Sequence, residues 1–142
     1  MRSAATRADI VREALSWVGT PFHHCADVKG AGVDCAMLLV RVYVDLGIVP
    51  PFDPRPYAPQ WFLHHERPIY LEFLARYARQ IPIEATLPGD ALAMNFGLHA
   101  AHGAIVVGSL AIVHAYQPLR LCMRDDRRGL AHRIHSAWSV FA

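Results

Sequence analysis

Gly32-Val33-Asp34-Cys35-Ala36-Met37-Leu38-Leu39-Val40 is the stretch around which this 142-residue chain is organised. A glycine-bearing turn runs into Asp-Cys, and a strongly apolar helix follows. Cys35 falls at the start of that helix, where unpaired backbone N–H groups and the positive end of the helix dipole favour an anion. A thiol held there is expected to lose its proton more easily, and the thiolate is the nucleophile. The helix is predicted over residues 35–46, ended by Gly47. It is apolar over nearly its whole surface, the pattern of a central, buried helix.

Upstream, residues 8–18 predict an amphipathic helix with Ile10, Val11, Ala14, Leu15 and Val18 on one face. Gly19 stops it and Thr20-Pro21 turns the chain. Residues 22–32 form a polar loop carrying His23, His24 and Cys25. Downstream, residues 49–59 hold five prolines (50, 51, 54, 56 and 59) and exclude both helix and central strand. A third helix is expected within 64–80, with Pro68 in its first turn and Tyr70, Leu71, Leu74 and Tyr77 or Ala78 at buried spacing. After Ile81 the pattern becomes strand-like. Short apolar runs lie at 91–94, 103–107, 110–116, 119–123 and 137–142, with Gly108-Ser109 as a hairpin turn. Helices first and an antiparallel sheet afterwards make an α+β domain, expected to be single over 1–142.

Apolar residues make up 54% of the chain and charged residues 18%, a composition for a packed core rather than disorder. The net charge of +2 and the lack of a basic cluster with interleaved aromatics argue against nucleic acid as a partner. Arg124, Arg127 and Arg128 surround Asp125 and Asp126, which reads as a self-cancelling solvated turn. Three cysteines do not make a disulfide scaffold. No apolar run is long enough to span a membrane, and the first ten residues show no secretory signal, so synthesis in the cytoplasm is expected.

A thiolate nucleophile needs a base. His102 opens the run His102-Gly103-Ala104-Ile105-Val106-Val107, and His114 lies in the next strand across the Gly108-Ser109 turn. A hairpin centred on that turn sets His114 near Gly103, beside His102. The pair could then serve as a base and the group that fixes its tautomer. The bland readings are a core cysteine and two structural histidines; Cys122 reads as core, and Cys25 is open between the two roles. Zinc is the chemical rival. The chain has nine histidines, including His99-x-x-His102 and His23-His24-Cys25, but no H-E-x-x-H and no paired C-x-x-C, so no metal and no cofactor is assigned. His64-His65 and His132/His135 read as surface or loop residues.

With these residues in place, the sequence resembles the NlpC/P60 family of papain-like cysteine peptidases, and more narrowly its phage-tail and gene-transfer-agent members. Trp17-Val18-Gly19-Thr20-Pro21-Phe22 is similar to the family's W-x-G-T-P-Y, and Lys29-Gly30-Ala31-Gly32-Val33-Asp34-Cys35 to its K-G-x-G-x-D-C. Leu87-Pro88-Gly89-Asp90-Ala91-Leu92 resembles its P-G-D strand entry. The segments Ala101-His102-Gly103-Ala104-Ile105-Val106 and Ile112-Val113-His114-Ala115-Tyr116 resemble its two histidine strands. Any one match is weak; five in order are specific.

The resemblance implies a papain-like fold, N-terminal helices packed on a C-terminal antiparallel sheet. It implies Cys35 as nucleophile, His102 as base and later acid, and His114 as orienting group. The substrate would be the stem peptide of peptidoglycan, cut between γ-D-glutamate and a diamino acid. Phe22, His23, His24, Asp34 and Trp61 are the candidates for substrate or oxyanion contacts, with Tyr57 beside Trp61 in the proline loop. Partners would be peptidoglycan fragments and phage-like tail proteins, in a particle acting at the cell wall. Two departures stand out. Phe22 replaces a tyrosine whose hydroxyl helps hold the oxyanion in the family, and Ala36-Met37 replaces Ser-Gly, with Met37 expected to narrow the floor beside Cys35. A tail-tip or adaptor protein with little activity is the alternative these departures motivate, and an acyltransferase or amidase with the same chemistry is a third.

Overall fold

The computed structural model describes residues 4–55, 69–96 and 99–141. Three α-helices are present among them: α1 (Arg7–Leu15), α2 (Cys35–Asp45) and α3 (Ile69–Tyr77). Two short strands, β1 (Asp27–Val28) and β2 (Gly32–Val33), pair inside the loop between α1 and α2. Six further strands form the main sheet: β3 (Arg79–Ile81), β4 (Ala91–Phe96), β5 (His99–Val106), β6 (Ala111–Tyr116), β7 (Leu121–Asp126) and β8 (Ile134–Ser139). Their order is β3-β8-β4-β5-β6-β7, and every pairing is antiparallel. Helices precede the sheet in the chain, so the expected α+β class holds.

The helix α1 starts on a capping box. The Thr6 hydroxyl accepts from the Asp9 amide at 3.2 Å, and the Asp9 carboxylate accepts from the Thr6 amide at 2.8 Å. Such a cap is worth about 1 kcal/mol. The helix ends at Leu15, three residues before the expected end. The chain turns through 16–19, and Gly19, at φ +94°, donates its N–H to the Cys122 carbonyl at 2.9 Å. That turn buries Trp17 and leaves Leu15 and Val18 exposed, contrary to the expected apolar face; Ile10 and Ala14 remain inside.

The central position of α2 is as expected. Ala36, Met37, Leu38, Leu39, Val40, Val42 and Tyr43 are all buried, in a cluster shared with Ile105, Val113, Ala115 and Cys122 of the sheet. Each large apolar side chain so enclosed contributes about 1.5–3 kcal/mol. A second cluster, Leu92, Met94, Ala104, Val106, Ile112 and Ala137, packs with Leu130 and Ile134 from the end of the chain. The turn Pro88-Gly89-Asp90 ties the helices to β4. Arg7 donates to the Pro88 carbonyl and to Asp90 at 3.1 and 2.8 Å, and the Tyr43 hydroxyl donates to the Gly89 carbonyl at 2.9 Å. Gly89 sits at φ +100° with the Arg7 backbone 3.3 Å from where a Cβ would stand, so only glycine fits the turn.

Several expected boundaries shift. The third helix begins at Ile69 among the described residues; Pro68, His64 and His65 lie outside them. Of its expected buried positions, Leu74 is enclosed and Leu71, Tyr77 and Ala78 are half-buried. Phe52 of the proline-rich stretch packs against Tyr77 with ring centroids 4.9 Å apart and planes tilted by 31°. The strands β1, β2 and β3 were not expected. They are two or three residues long, too short to show a period.

Candidate active site

Cys35 is the first residue of α2. The preceding Asp34 is the N-cap, its carboxylate accepting from the Met37 amide at 2.8 Å and from the Cys25 amide at 2.7 Å. The segment before it is clamped from both sides. Residues 19–22 run along the edge of β7, with the Phe22 amide donating to the Arg120 carbonyl at 3.0 Å and the Cys122 amide to the Thr20 carbonyl at 2.8 Å. On the other side the Val33 amide donates to the Pro21 carbonyl and the His23 amide to the Val33 carbonyl, at 3.0 and 3.1 Å. The Trp-x-Gly-Thr-Pro-Phe stretch therefore acts as a splint between the sheet and the head of the helix.

The expected ionisation of Cys35 is corrected by its surroundings. Burial of the sulfur and the adjacent Asp34 charge push the thiol up to about 12. Amide hydrogen bonds from Ala36, Cys35 itself and Gly103 act in the opposite direction and are outweighed. The helix terminus is present, but its N-cap is a carboxylate one residue from the sulfur. The participation of Gly103 places the sulfur against the backbone of β5, one residue along from His102.

His102 and His114 come together. His102 Nε2 and His114 Nδ1 are 2.8 Å apart, and both residues are buried. The register differs by one from the expected hairpin. Ile105 stands opposite Val113 and Val106 opposite Ile112, and this register, continued, sets His114 opposite Ala104 rather than Gly103. The difference decides the geometry, because alternate residues share a face. Opposite Gly103, His114 would point away from His102; opposite Ala104, the two imidazoles meet diagonally.

The relay continues to a residue that sequence reasoning missed. His114 Nε2 lies 3.1 Å from an Asp125 carboxylate oxygen. The carboxylate accepts, so His114 Nε2 carries a proton and its Nδ1 is the acceptor. His102 Nε2 must then donate, which leaves His102 Nδ1 as the unprotonated, acceptor nitrogen. Asp125 does not lie in a solvated turn, as the surrounding charges suggest; it belongs to β7, which pairs with β6 so that Asp125 stands opposite Ile112 and shares the face of His114. No local alternation marks it, since buried Cys122 shares a face with exposed Arg124 and Asp126. The strand expected over 119–123 runs on to Asp126, three residues further. The Asp126–Arg128 ion pair, at 2.6 Å, does lie on the surface as expected.

Aromatic rings hold the imidazoles. Phe96 stacks on His102 with centroids 4.6 Å apart and planes 14° from parallel, and the Arg133 guanidinium lies over the far face of Phe96 at 5.1 Å. Tyr116 stacks on His114 at 4.9 Å. Burial, then the neighbouring His114 and Arg133, lower His102 well below the ordinary imidazole value. Burial also lowers His114, against the opposing pull of Asp125. The resting site therefore holds a neutral thiol and neutral imidazoles.

The remaining candidates are distributed unevenly. Phe22 is half-buried against the main core and carries no donor. His23 is exposed, its ring packed on Gly32, where an added Cβ would come within 2.8 Å. His24 groups with Cys25 and Asp34. Asp34 is buried and caps the helix, so its first role is structural. Met37 is fully buried and packs into the core. Cys122 is buried, as its apolar neighbours implied. His132 and His135 are exposed, also as expected. Trp61 and Tyr57 lie outside the described residues.

No family model matches the sequence, and no curated protein matches it. Solved structures do. The NlpC/p60 domain of the peptidoglycan hydrolase SagA superposes with a TM-score of 0.67 at 22% identity, over 95% of this chain and 99% of that one. An NlpC/P60 family protein from Bacillus cereus gives 0.71 at 17% identity, over 97% of this chain but 41% of that one. The peptidoglycan hydrolase RipB from Mycobacterium tuberculosis gives 0.65 at 14% identity, over 96% of this chain and 65% of that one. The chain, with its α+β architecture of helices on an antiparallel sheet, has the fold of an NlpC/P60 domain.

Proposed function

We propose that this chain is a cysteine peptidase that hydrolyses an amide bond in peptidoglycan stem peptides, the bond between γ-D-glutamate and a diamino acid such as diaminopimelate. The observation that carries the reading is the hydrogen-bonded chain His102–His114–Asp125, which begins on the strand whose Gly103 amide meets the Cys35 sulfur. Cys35 Sγ attacks the carbonyl carbon as its proton passes to His102 Nδ1, giving a tetrahedral oxyanion. His102 then returns that proton to the leaving amine nitrogen as the C–N bond breaks, which leaves a thioester. Water attacks the thioester, His102 takes its proton, and the proton goes back to sulfur as the acid departs.

Because thiol and imidazole are both neutral at rest, the first proton transfer accompanies attack on the carbonyl rather than preceding it. The amides of Ala36, Cys35 and Gly103, already turned toward the sulfur, are the candidate oxyanion donors. His114 and Asp125 hold the tautomer of His102. Association with a phage-like tail, and delivery by it to the cell wall, rest on the motif resemblance.

Incubating purified muropeptides with the wild type and with Cys35→Ala, and reading the products by mass spectrometry, tests the proposal. Cleavage by the wild type alone, at the γ-glutamyl bond, is the expected result; turnover that survives Cys35→Ala overturns it. The absence of a phenol at Phe22 favours one second reading, a tail-tip or adaptor protein with the same fold and little turnover. Measurable Cys35-dependent cleavage removes that reading.

A further inference from the structure

At the head of the Cys35 helix lies a second group of ligand-bearing side chains, none of which takes part in the proton transfers proposed above. His24 Nε2 is 3.2 Å from the Cys25 sulfur, and His24 Nδ1 is 4.0 Å from an Asp34 carboxylate oxygen. One donor atom from each of the three residues lies within 4.8 Å of the others. We propose that His24, Cys25 and Asp34 form a binding site for a borderline-soft divalent cation, Zn2+ foremost, at the head of the Cys35 helix.

The donor set is one thiolate, one imidazole and one carboxylate. Zinc accepts all three types, whereas calcium and magnesium take oxygen alone. One ring nitrogen of His24 ligates, Nε2, which already faces the Cys25 sulfur. The Nδ1 approach to Asp34 is not part of the coordination, and the carboxylate oxygen closes on the ion from within the 4.8 Å span of the three donors. Zinc at about 2.05 Å from nitrogen and 2.3 Å from sulfur, at a tetrahedral angle, sets those atoms about 3.6 Å apart. The 3.2 Å in the structure opens to that value by a small rotation of one side chain.

The frame around the donors is already built. Asp34 is fixed as N-cap by the Met37 amide. Its other oxygen accepts from the Cys25 amide at 2.7 Å, and Arg55 Nη1 donates to the Cys25 carbonyl at 2.9 Å. These bonds hold Cys25 at φ +62°, a left-handed conformation that a non-glycine residue adopts only when its surroundings impose it. The result turns the Cys25 side chain back toward His24, its neighbour in sequence. Ligating groups that are themselves hydrogen-bonded are the usual support of a metal site. His24 keeps about a third of its side chain exposed, which leaves a path for the ion. On binding, the Cys25 thiol releases its proton to solvent and the Zn–S bond forms. Three protein ligands leave a fourth position to water or to a substrate group.

The test uses the full chain, stripped with chelator and titrated with Zn2+ and with Co2+. The expected result is one equivalent of Zn2+ per chain in competition with a chromophoric chelator. The Co2+ form should show thiolate charge-transfer and tetrahedral d–d absorption. Cys25→Ser and His24→Ala should each weaken Zn2+ binding at least tenfold and remove or alter the Co2+ spectrum. Thermal melts of the metal-free variants check that they fold. Cys35→Ala should bind as the wild type does. No stoichiometric binding, binding unchanged in Cys25→Ser and His24→Ala, or binding lost in Cys35→Ala each overturns the proposal, the last by moving the ion to the nucleophile. None of these outcomes depends on whether the protein cleaves muropeptides.

Discussion

The resting state of Cys35 is open to a direct chemical measurement. The structure pushes its thiol up to about 12. At pH 7 a group of that acidity is ionised in about one molecule in 100,000, while an ordinary cysteine near 8.5 is ionised in about 3%. Since only the thiolate is alkylated, Cys35 should react with iodoacetamide about three thousand times more slowly than free cysteine at pH 7. The rate should rise about tenfold per pH unit up to pH 10, with no plateau near neutrality. Peptide mapping by mass spectrometry follows Cys35 separately from Cys25 and from the buried Cys122. A preformed thiolate–imidazolium pair behaves in the opposite way: its rate is high and flat from about pH 5 upward. A flat profile through neutrality would refute the reasoning, because it would mean that the Gly103, Ala36 and Cys35 amides together with a protonated His102 outweigh burial and the Asp34 charge.

Asp125→Asn should lower kcat/KM about five- to thirtyfold with little change in KM, because a neutral amide holds the His114 tautomer less firmly than a carboxylate by about 1–2 kcal/mol. Imidazole nitrogen NMR should show the tautomers of both histidines redistributed, and a wild-type spectrum in the variant would remove Asp125 from the relay. Phe22→Tyr should raise kcat if the added phenol reaches the oxyanion, by up to the factor of about 100 to 1,000 that one such donor supplies. Muropeptide assays read the change, and an unaltered kcat would show that the backbone amides suffice. Acidification should destabilise the fold. His102 and His114 are both held below the ordinary imidazole value of 6.5, so the unfolded chain binds more protons below that pH. Stability is full above pH 6.5 and falls as the pH drops beneath it. Thermal melts at pH 7.5 and 5.5 should show a lower midpoint at 5.5, and a His102→Gln/His114→Gln double variant should show a smaller drop; equal drops in both proteins would contradict the assignment.

How legible the fold was depended on the length of each element. The helix α2 was plain because eleven residues with seven buried side chains leave no other reading of their composition. The strands β4, β5 and β6 were readable because an apolar run of four to eight residues bounded by glycines carries its own signal. The end of α1 was misread because Leu15 and Val18 continue the apolar period after the backbone has left the helix. Nothing local announces that Gly19 will donate to Cys122, a hundred residues away. Asp125 was missed for a related reason. A charged residue in the run Arg124-Asp125-Asp126-Arg127-Arg128 looks solvated until the strand partner is known, and only the pairing of β6 with β7 gives it a buried imidazole to hold. Local sequence specified the type of each element; the long-range register specified which polar side chains became functional.

The two halves of the site are built by opposite means, and that difference constrains the chemistry. On the helix side, Asp34 secures α2 through two backbone amides, and its charge makes the neighbouring thiol reluctant to ionise. On the sheet side, His102 is enclosed between Phe96 and His114, and burial makes it reluctant to take a proton. Neither group can hold charge alone in the resting protein. A carbonyl arriving at the sulfur changes this, because the negative charge moves from sulfur to an oxygen that backbone amides can reach while the imidazolium forms beside it. Charge separation is then stabilised only when a substrate is in place. The same argument explains why the relay extends to Asp125. An imidazolium at His102 hydrogen-bonded to His114 needs a countercharge, and a carboxylate two strands away supplies one without lying close enough to fix His102 in the charged form beforehand. Moving that carboxylate nearer, as His114→Asp would, should raise the His102 pKa toward or above 6.5. It should also convert the steep alkylation profile of Cys35 into a flatter one.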